Sequence, residues 1–185
     1  TNMDLMKKIA LFLSLFIYSS IMQANTHIEM KLKTGNVLIE LKPDLAPKHV
    51  ERISELVKEG FYNGLLFHRV IPGFMAQGGD PLGNGTGGSG QNIEAEFSAE
   101  KHIRGTVSMA RAQDPNSADS QFFICFEDAP WLDGQYTIWG QVIKGMEHVD
   151  KIKKGAGGNG EVEGTPDKII KMSLVKVKKK SKKKN

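Results

Sequence analysis

Arg69 stands in the run Phe67-His68-Arg69-Val70-Ile71-Pro72-Gly73-Phe74-Met75-Ala76-Gln77-Gly78-Gly79-Asp80, near an aromatic ring, a thioether and a carboxamide. No serine, metal-ligand cluster or carboxylate pair lies beside it. Ser120-Gln121-Phe122-Phe123-Ile124 again sets an amide beside aromatics, and Trp131-Leu132-Asp133-Gly134 adds an indole. A guanidinium is always charged and donates from a rigid fork. Between apolar walls it can stabilise a lone pair or charge as it develops. That chemistry requires no proton transfer, covalent intermediate, metal or cofactor, which fits the lack of an obvious nucleophile.

Other motifs point elsewhere and are weaker. Gly83-Asn84-Gly85-Thr86-Gly87-Gly88 formally matches G-x-G-x-x-G. A dinucleotide site needs a helix to open there, with its N-terminus facing the pyrophosphate. Ser89-Gly90-Gln91-Asn92 instead continues a loop, so a tight surface turn is expected. Cys125 is the only cysteine, which excludes an intrachain disulfide, a cysteine metal cluster and an N-terminal lipidated cysteine. In an apolar strand it reads as inert packing. His68 reads as a hydrogen-bonded structural histidine; His27, His49, His102 and His148 share no metal-ligand spacing.

The elements that must position these residues follow from periodicity. Ile28, Met30 and Leu32 alternate with polar residues, as do Val37, Ile39 and Leu41 across a turn at Thr34-Gly35-Asn36, which predicts a hairpin with one buried face. Pro47 suits a first helical turn, Val50, Ile53 and Val57 fall at helical spacing, and Gly60 stops the helix. Strand-like runs follow at 65–70, 74–78, 106–111, 121–126 and 137–143. A second helix fits 146–154, with Met146, Val149 and Ile152 on one face, and a last strand fits 169–177. About eight strands joined mostly by turns favour a mainly β fold, an antiparallel barrel or sandwich.

The strand at 121–126 carries apolar residues on both faces. Phe122, Ile124 and Phe126 share one side; Gln121, Phe123 and Cys125 share the other. One side fills the interior, so the other must be covered or bind something. Ala110 and Ala112 share a face about Arg111, and small outward residues leave room for a ligand backbone.

At 185 residues, with 39% hydrophobic and 25% charged content, the chain fits one soluble domain. The net charge of +4 is segregated: the first 24 residues carry +1, six lysines between 178 and 184 carry +6, and the rest sums to −3. The basic balance therefore describes a tail, and no specific nucleic-acid partner is expected. Met6-Lys7-Lys8, the apolar run Ile9 to Tyr18 and the small-residue stretch to Ala24 follow the order of a secretory signal. The run is shorter than the ~20 residues a spanning helix needs, so cleavage is favoured over a retained anchor. The expected organisation is a signal peptide at 1–24, a domain at 25–177 and a basic tail at 178–185, exported to the periplasm in a Gram-negative host.

The three central stretches, in this order, resemble the cyclophilin family of peptidyl-prolyl cis/trans isomerases over roughly residues 27–177. The resemblance implies a closed eight-stranded antiparallel β-barrel capped by two α-helices, with a packed interior and a site on the outer surface. It implies a catalytic role for Arg69 and a proline pocket from Phe74, Met75, Phe123 and Leu132. It further implies groove amides at Gln77 and Gln121, backbone contacts at Ala110, Arg111 and Ala112, and a rim indole at Trp131. The glycine loop would border the groove. The expected partners of this monomer are proline-containing peptides and folding proteins. Arg111 stands where many members have asparagine and Tyr136 where many have histidine, a pattern resembling bacterial members. Cyclosporin is therefore expected to bind only weakly. A non-catalytic proline-peptide adaptor would be favoured had Arg69 or Phe74 been replaced, and neither is.

Overall fold

The computed structural model describes residues 26–177. The expected signal peptide and lysine tail lie outside the described residues. The chain begins with a hairpin, β1 (His27–Leu32) and β2 (Gly35–Leu41), paired from His27 opposite Glu40 to Leu32 opposite Gly35. The alternating residues Ile28, Met30, Val37 and Ile39 are fully buried, as the period of two requires.

Helix α1 (Pro47–Lys58) opens on proline and buries His49, Ile53, Leu56 and Val57. Its N-cap, Ala46, offers no side-chain acceptor. The carboxylate of Glu96, remote in sequence, does so instead: it accepts the Lys48 and His49 N–H groups at 2.9 and 3.0 Å, and His49 Nδ1–H at 2.7 Å. The helix closes at Gly60, whose φ of 74° lets its own N–H reach Val57 O and the Phe61 N–H reach Leu56 O. This double bond is the closure expected of a left-handed glycine just past a helix.

Six more strands follow: β3 (Arg69–Ile71), β4 (Met75–Gly78), β5 (Thr106–Met109), β6 (Phe122–Cys125), β7 (Ile138–Lys144) and β8 (Lys171–Val175). All pairings are antiparallel, in the order β3-β4-β6-β5-β7-β2-β1-β8, with bulges between Leu38 and Ile39 and between Val107 and Ser108. The expected closed barrel needs correcting. The ladder is open, because no strand pairing joins β3 to β8. Its seam is stitched instead by a bridge between Leu66 and Lys168 and by bonds from Gly64 N to Ile169 O and Phe67 N to Asp167 O. The residues 65–67 read as strand are spent on that seam, so β3 proper starts only at Arg69. Helix α2 is also shorter than expected, Met146–Asp150, and tighter turns at Lys151 and Ile152 replace its last part while still burying Ile152. Among the described residues no helix is long and apolar enough to cross a membrane.

Two apolar clusters result. The larger fills the sheet's concave side beneath α1 and α2 and holds Phe122, Ile124, Phe126 and Trp139. The smaller lies on the opposite side and comprises Met75, Phe123, Cys125, Ala129 and Leu132, flanked by Ile71, Phe74, Ala110 and Tyr136. The two-faced reading of 121–126 predicts this division.

Candidate active site

Strand register assembles the site. Arg69, Gln77, Phe123 and Ser108 are successive partners across β3, β4, β6 and β5, so they stand in one row on one face. Ile71, Met75 and Cys125 form the parallel row two residues away. The intervening row, Val70, Ala76, Ile124 and Val107, is fully buried in the larger cluster.

Above the outer rows lies a cavity of about 730 Å³. Arg69, Phe74, Met75, Gln77, Ala110, Arg111, Phe123, Trp131, Leu132 and Tyr136 all line it. Gln121 and Ala112 do not. They line an adjoining hollow of about 300 Å³, together with Gln77, Ala110, Arg111 and the loop Gly85–Gly88. Both backbone polar groups of Ala112 are engaged within the chain, its N–H on Ser117 Oγ and its carbonyl under Arg111 Nη1.

The apolar floor is buried at Met75, Phe123 and Leu132, while Trp131 is 58% exposed at the rim, its ring 5.3 Å from that of Phe74. Leu132 and Trp131 sit on a single 3-10 turn, Pro130–Leu132. Cys125 lies beneath, fully buried, and burial followed by the nearby Asp128 and Asp133 charges pushes its thiol up to about 12, so it stays an inert packing group.

A chain of hydrogen bonds fixes the polar side. Arg69 Nε–H donates to Asn159 O at 2.8 Å and Nη1–H to Gln77 Oε1 at 3.2 Å. Gln77 donates to Gln121 Oε1 at 3.0 Å, and Gln121 to Gly87 O at 2.9 Å. The glycine loop that receives this chain is held in turn by Asp80, whose carboxylate accepts N–H groups of Leu82, Asn84 and Gly85. Burial alone would raise Asp80, but those backbone donors outweigh it and hold the carboxyl below its ordinary range. No helix opens at this loop, so the dinucleotide reading has no structural support.

His68 lines the cavity almost wholly buried. Burial, only partly offset by Asp80 and by a hydrogen bond with the Leu66 backbone, lowers its basicity. Among the described residues no group of three His, Cys, Asp or Glu side chains could hold a metal.

The segment Asn159–Pro166 escapes sequence reading, although Asn159, Glu161, Val162 and Pro166 form one wall of the cavity. A signal existed: some twenty residues separate α2 from β8 without an element, and long connections of that kind are usually functional.

The comparisons agree with this geometry. The family model described as cyclophilin type peptidyl-prolyl cis-trans isomerase/CLD matches residues 27–176. A probable peptidyl-prolyl cis-trans isomerase of Brucella suis is 57% identical over 157 residues, covering 78% of this chain and 80% of that one. A peptidyl-prolyl cis-trans isomerase of Helicobacter pylori is 49% identical over 130 residues, 68% of this chain and 79% of that protein. The crystal structure of a cyclophilin type isomerase of Cryptosporidium parvum, in the presence of the dipeptide Ala-Pro, superposes with a TM-score of 0.73 at 30% identity, covering 80% of this chain and 98% of that one. With an outward pocket beside a fixed arginine, a family model that matches residues 27–176 and a relative 57% identical over 157 residues, the chain belongs to the cyclophilin family of peptidyl-prolyl cis/trans isomerases.

Proposed function

We propose that Arg69 carries the isomerisation of X-Pro bonds by stabilising the twisted imide, while Phe74, Met75, Phe123 and Leu132 hold the proline ring. Rotation about a peptide bond costs about 18–20 kcal/mol because the nitrogen lone pair is delocalised. In X-Pro bonds the isomers are close in energy, yet exchange takes tens of seconds or more. In the twisted state the lone pair localises on nitrogen and can accept a hydrogen bond. A guanidinium that bonds the imide nitrogen, or the proline carbonyl beside it, binds that state more strongly than either planar one and so raises the rate.

One observation carries this reading: Nε and Nη1 of Arg69 are anchored on Asn159 O and Gln77, while Nη2 has no partner among the described residues. The fork is thus pre-aimed with donors to spare, beside the apolar floor of Met75, Phe123 and Leu132. Gln77, Gln121, Ala110 and Arg111 hold the flanking peptide, Ala112 bounds the groove by its surface alone, Trp131 and Tyr136 shape the rim, and folding proteins are the clients. A prolyl isomerisation assay of the wild type against Arg69→Ala tests it; equal turnover removes Arg69 from the mechanism.

The basic, apolar and small-residue order of residues 6–24 further supports an exported, folding-assisting enzyme, periplasmic in a Gram-negative host. The chain is taken to act as a monomer, and on the strength of Arg111 and Tyr136 it is taken to bind cyclosporin weakly.

A further inference from the structure

Beneath Phe123 lies a hydrogen-bonded serine, histidine and aspartate. His102 Nε2 is 2.9 Å from Ser108 Oγ, and His102 Nδ1 is 3.1 Å from Asp133 Oδ1. These are the contacts of a hydrolytic triad, but Ser108 is fully buried and cannot meet a substrate. The arrangement serves something else. Asp133 can only accept, so Nδ1 carries the proton. Ser108 Oγ–H stands between two acceptors, Thr137 O at 3.0 Å and Nε2 of the neutral ring at 2.9 Å. Burial, opposed by Asp133, lowers the ring's basicity.

Two walls of the proline pocket rest on this one residue. The imidazole stacks on the ring of Phe123, with centroids 6.2 Å apart and planes 16° from parallel. The turn bearing Trp131 and Leu132 is tied to residue 102 at both ends: Ala129 N–H donates to His102 O at 2.9 Å, and His102 N–H donates to Asp133 Oδ1 at 2.8 Å, beside the Nδ1 bond. His102 is not itself among the residues lining the cavity. It lies between β4 and β5 in a segment without regular structure, so side-chain bonds must hold it in place.

We propose that His102 is a positioning residue for this isomerase, setting the width of the proline pocket through Phe123 and Leu132 without touching the bond that turns. The proposal rests on Phe123 and Leu132 contacting proline. It places the effect in substrate binding and leaves the chemical step to Arg69.

The test compares four variants of the full chain in steady-state isomerisation of a proline tetrapeptide, each checked by circular dichroism for a native fold. His102→Gln can reach Ser108 but not Asp133, whereas His102→Asn can reach Asp133 but not Ser108. Asp133→Ala cuts the same tether from its half-buried end, leaving the barrel wall intact should His102→Gln not fold. Phe123→Ala is the control for the pocket itself. His102→Gln and Asp133→Ala should raise KM about three- to tenfold with kcat within about twofold of wild type, and His102→Asn should recover most of the affinity. A lower kcat at constant KM, or an unchanged KM in folded His102→Gln and Asp133→Ala, overturns the proposal. If Phe123→Ala also leaves KM unchanged, the pocket assignment itself fails; if Phe123→Ala raises it, only the role of His102 does.

Discussion

The Arg111 guanidinium carbon lies 4.7 Å above the centre of the Tyr136 ring. The two residues that depart from the common cyclophilin pattern are thus a single unit, joined by a cation–π contact. Nε and Nη2 of Arg111 also donate to Gln135 O at 3.2 and 2.9 Å, and Nη1 donates to Ala112 O and Gln113 O. Tyr136 in turn meets Phe123 edge-on at 5.9 Å. Arg111 is therefore a braced post between the two hollows of the groove, with four of its five N–H donors engaged inside the chain.

A braced post should matter most to a large ligand. A bulky apolar cyclic peptide such as cyclosporin needs continuous complementarity along the rim, and one misplaced polar group there costs about 1–3 kcal/mol. The wild type should be inhibited only weakly, and Tyr136→His should lower the inhibition constant at least about fivefold. Titration of the drug against both proteins decides the matter; nanomolar inhibition of the wild type would count against it.

Arg69→Ala should lower kcat/KM at least about tenfold, equivalent to about 1.4 kcal/mol of barrier, with the fold retained. Arg69→Lys should fall nearly as far, because an ammonium lacks the rigid planar fork that holds Asn159 O and Gln77 while aiming a further donor at the substrate. Full activity in the lysine variant would mean that charge alone suffices.

Stability should decline with acid in two stages. His49, His68 and His102 are each shifted down, with burial the largest cause in every case. The unfolded chain takes up their protons near pH 6.5 while the folded one resists, so stability is full above that pH and falls as pH drops below it. Asp80 and Glu96 are held below the ordinary carboxylate range, since their backbone donors outweigh burial. Their contribution is present above about pH 4 and is lost as pH falls through their folded values. Urea midpoints at pH 8, 6, 5 and 3.5 would follow both steps; a midpoint constant from pH 8 to 5 would contradict the histidine stage.

Gly79 has a φ of 87°, and a Cβ there would stand 2.7 Å from Ser120 O, the carbonyl that also receives the Tyr62 hydroxyl. Gly79→Ala should cost about 2–5 kcal/mol from strain and collision together. Gly64, with a φ of 82° and nothing within 4 Å of the added carbon, should lose only the strain, about 1–2 kcal/mol. Denaturant unfolding of the two variants separates the terms; equal losses would show that Ser120 yields.

In its native host the mature protein should begin near Asn25. Intact-mass measurement reads this directly, and a full-length chain that resists salt extraction from membranes would favour a retained anchor.

Where the sequence was legible, the reason was local. The period of two in 121–126 fixed which rings face the interior and which face the cavity. Pro47 and Gly60 bracketed α1 because each acts on its own backbone. The cavity's first three walls came from contiguous motifs. Long-range features were hidden. Nothing around Leu66 announces that it pairs with Lys168 rather than extending β3. Glu96 gives no sign that it will cap a helix nearly fifty residues earlier. Arg111 and Tyr136 read as two separate departures because no periodicity links them. Asn159 supplies only a carbonyl to Arg69, and a carbonyl is common to every residue type.

The pairing of His27 with Val175 sets the first and last strands side by side. Directly opposed residues of an antiparallel pair lie about 4.5–5.5 Å apart. A few glycines could therefore run from Val177 back to Thr26, and the ring so formed could be reopened at the exposed Lys33-Thr34 turn. The permuted polypeptide would start with β2 and finish with β1, now a hairpin partner of β8, and every strand would keep its neighbours. The order in which the strands are translated is then separable from the surface they build, and such a molecule would let both ends be moved away from one corner of the barrel.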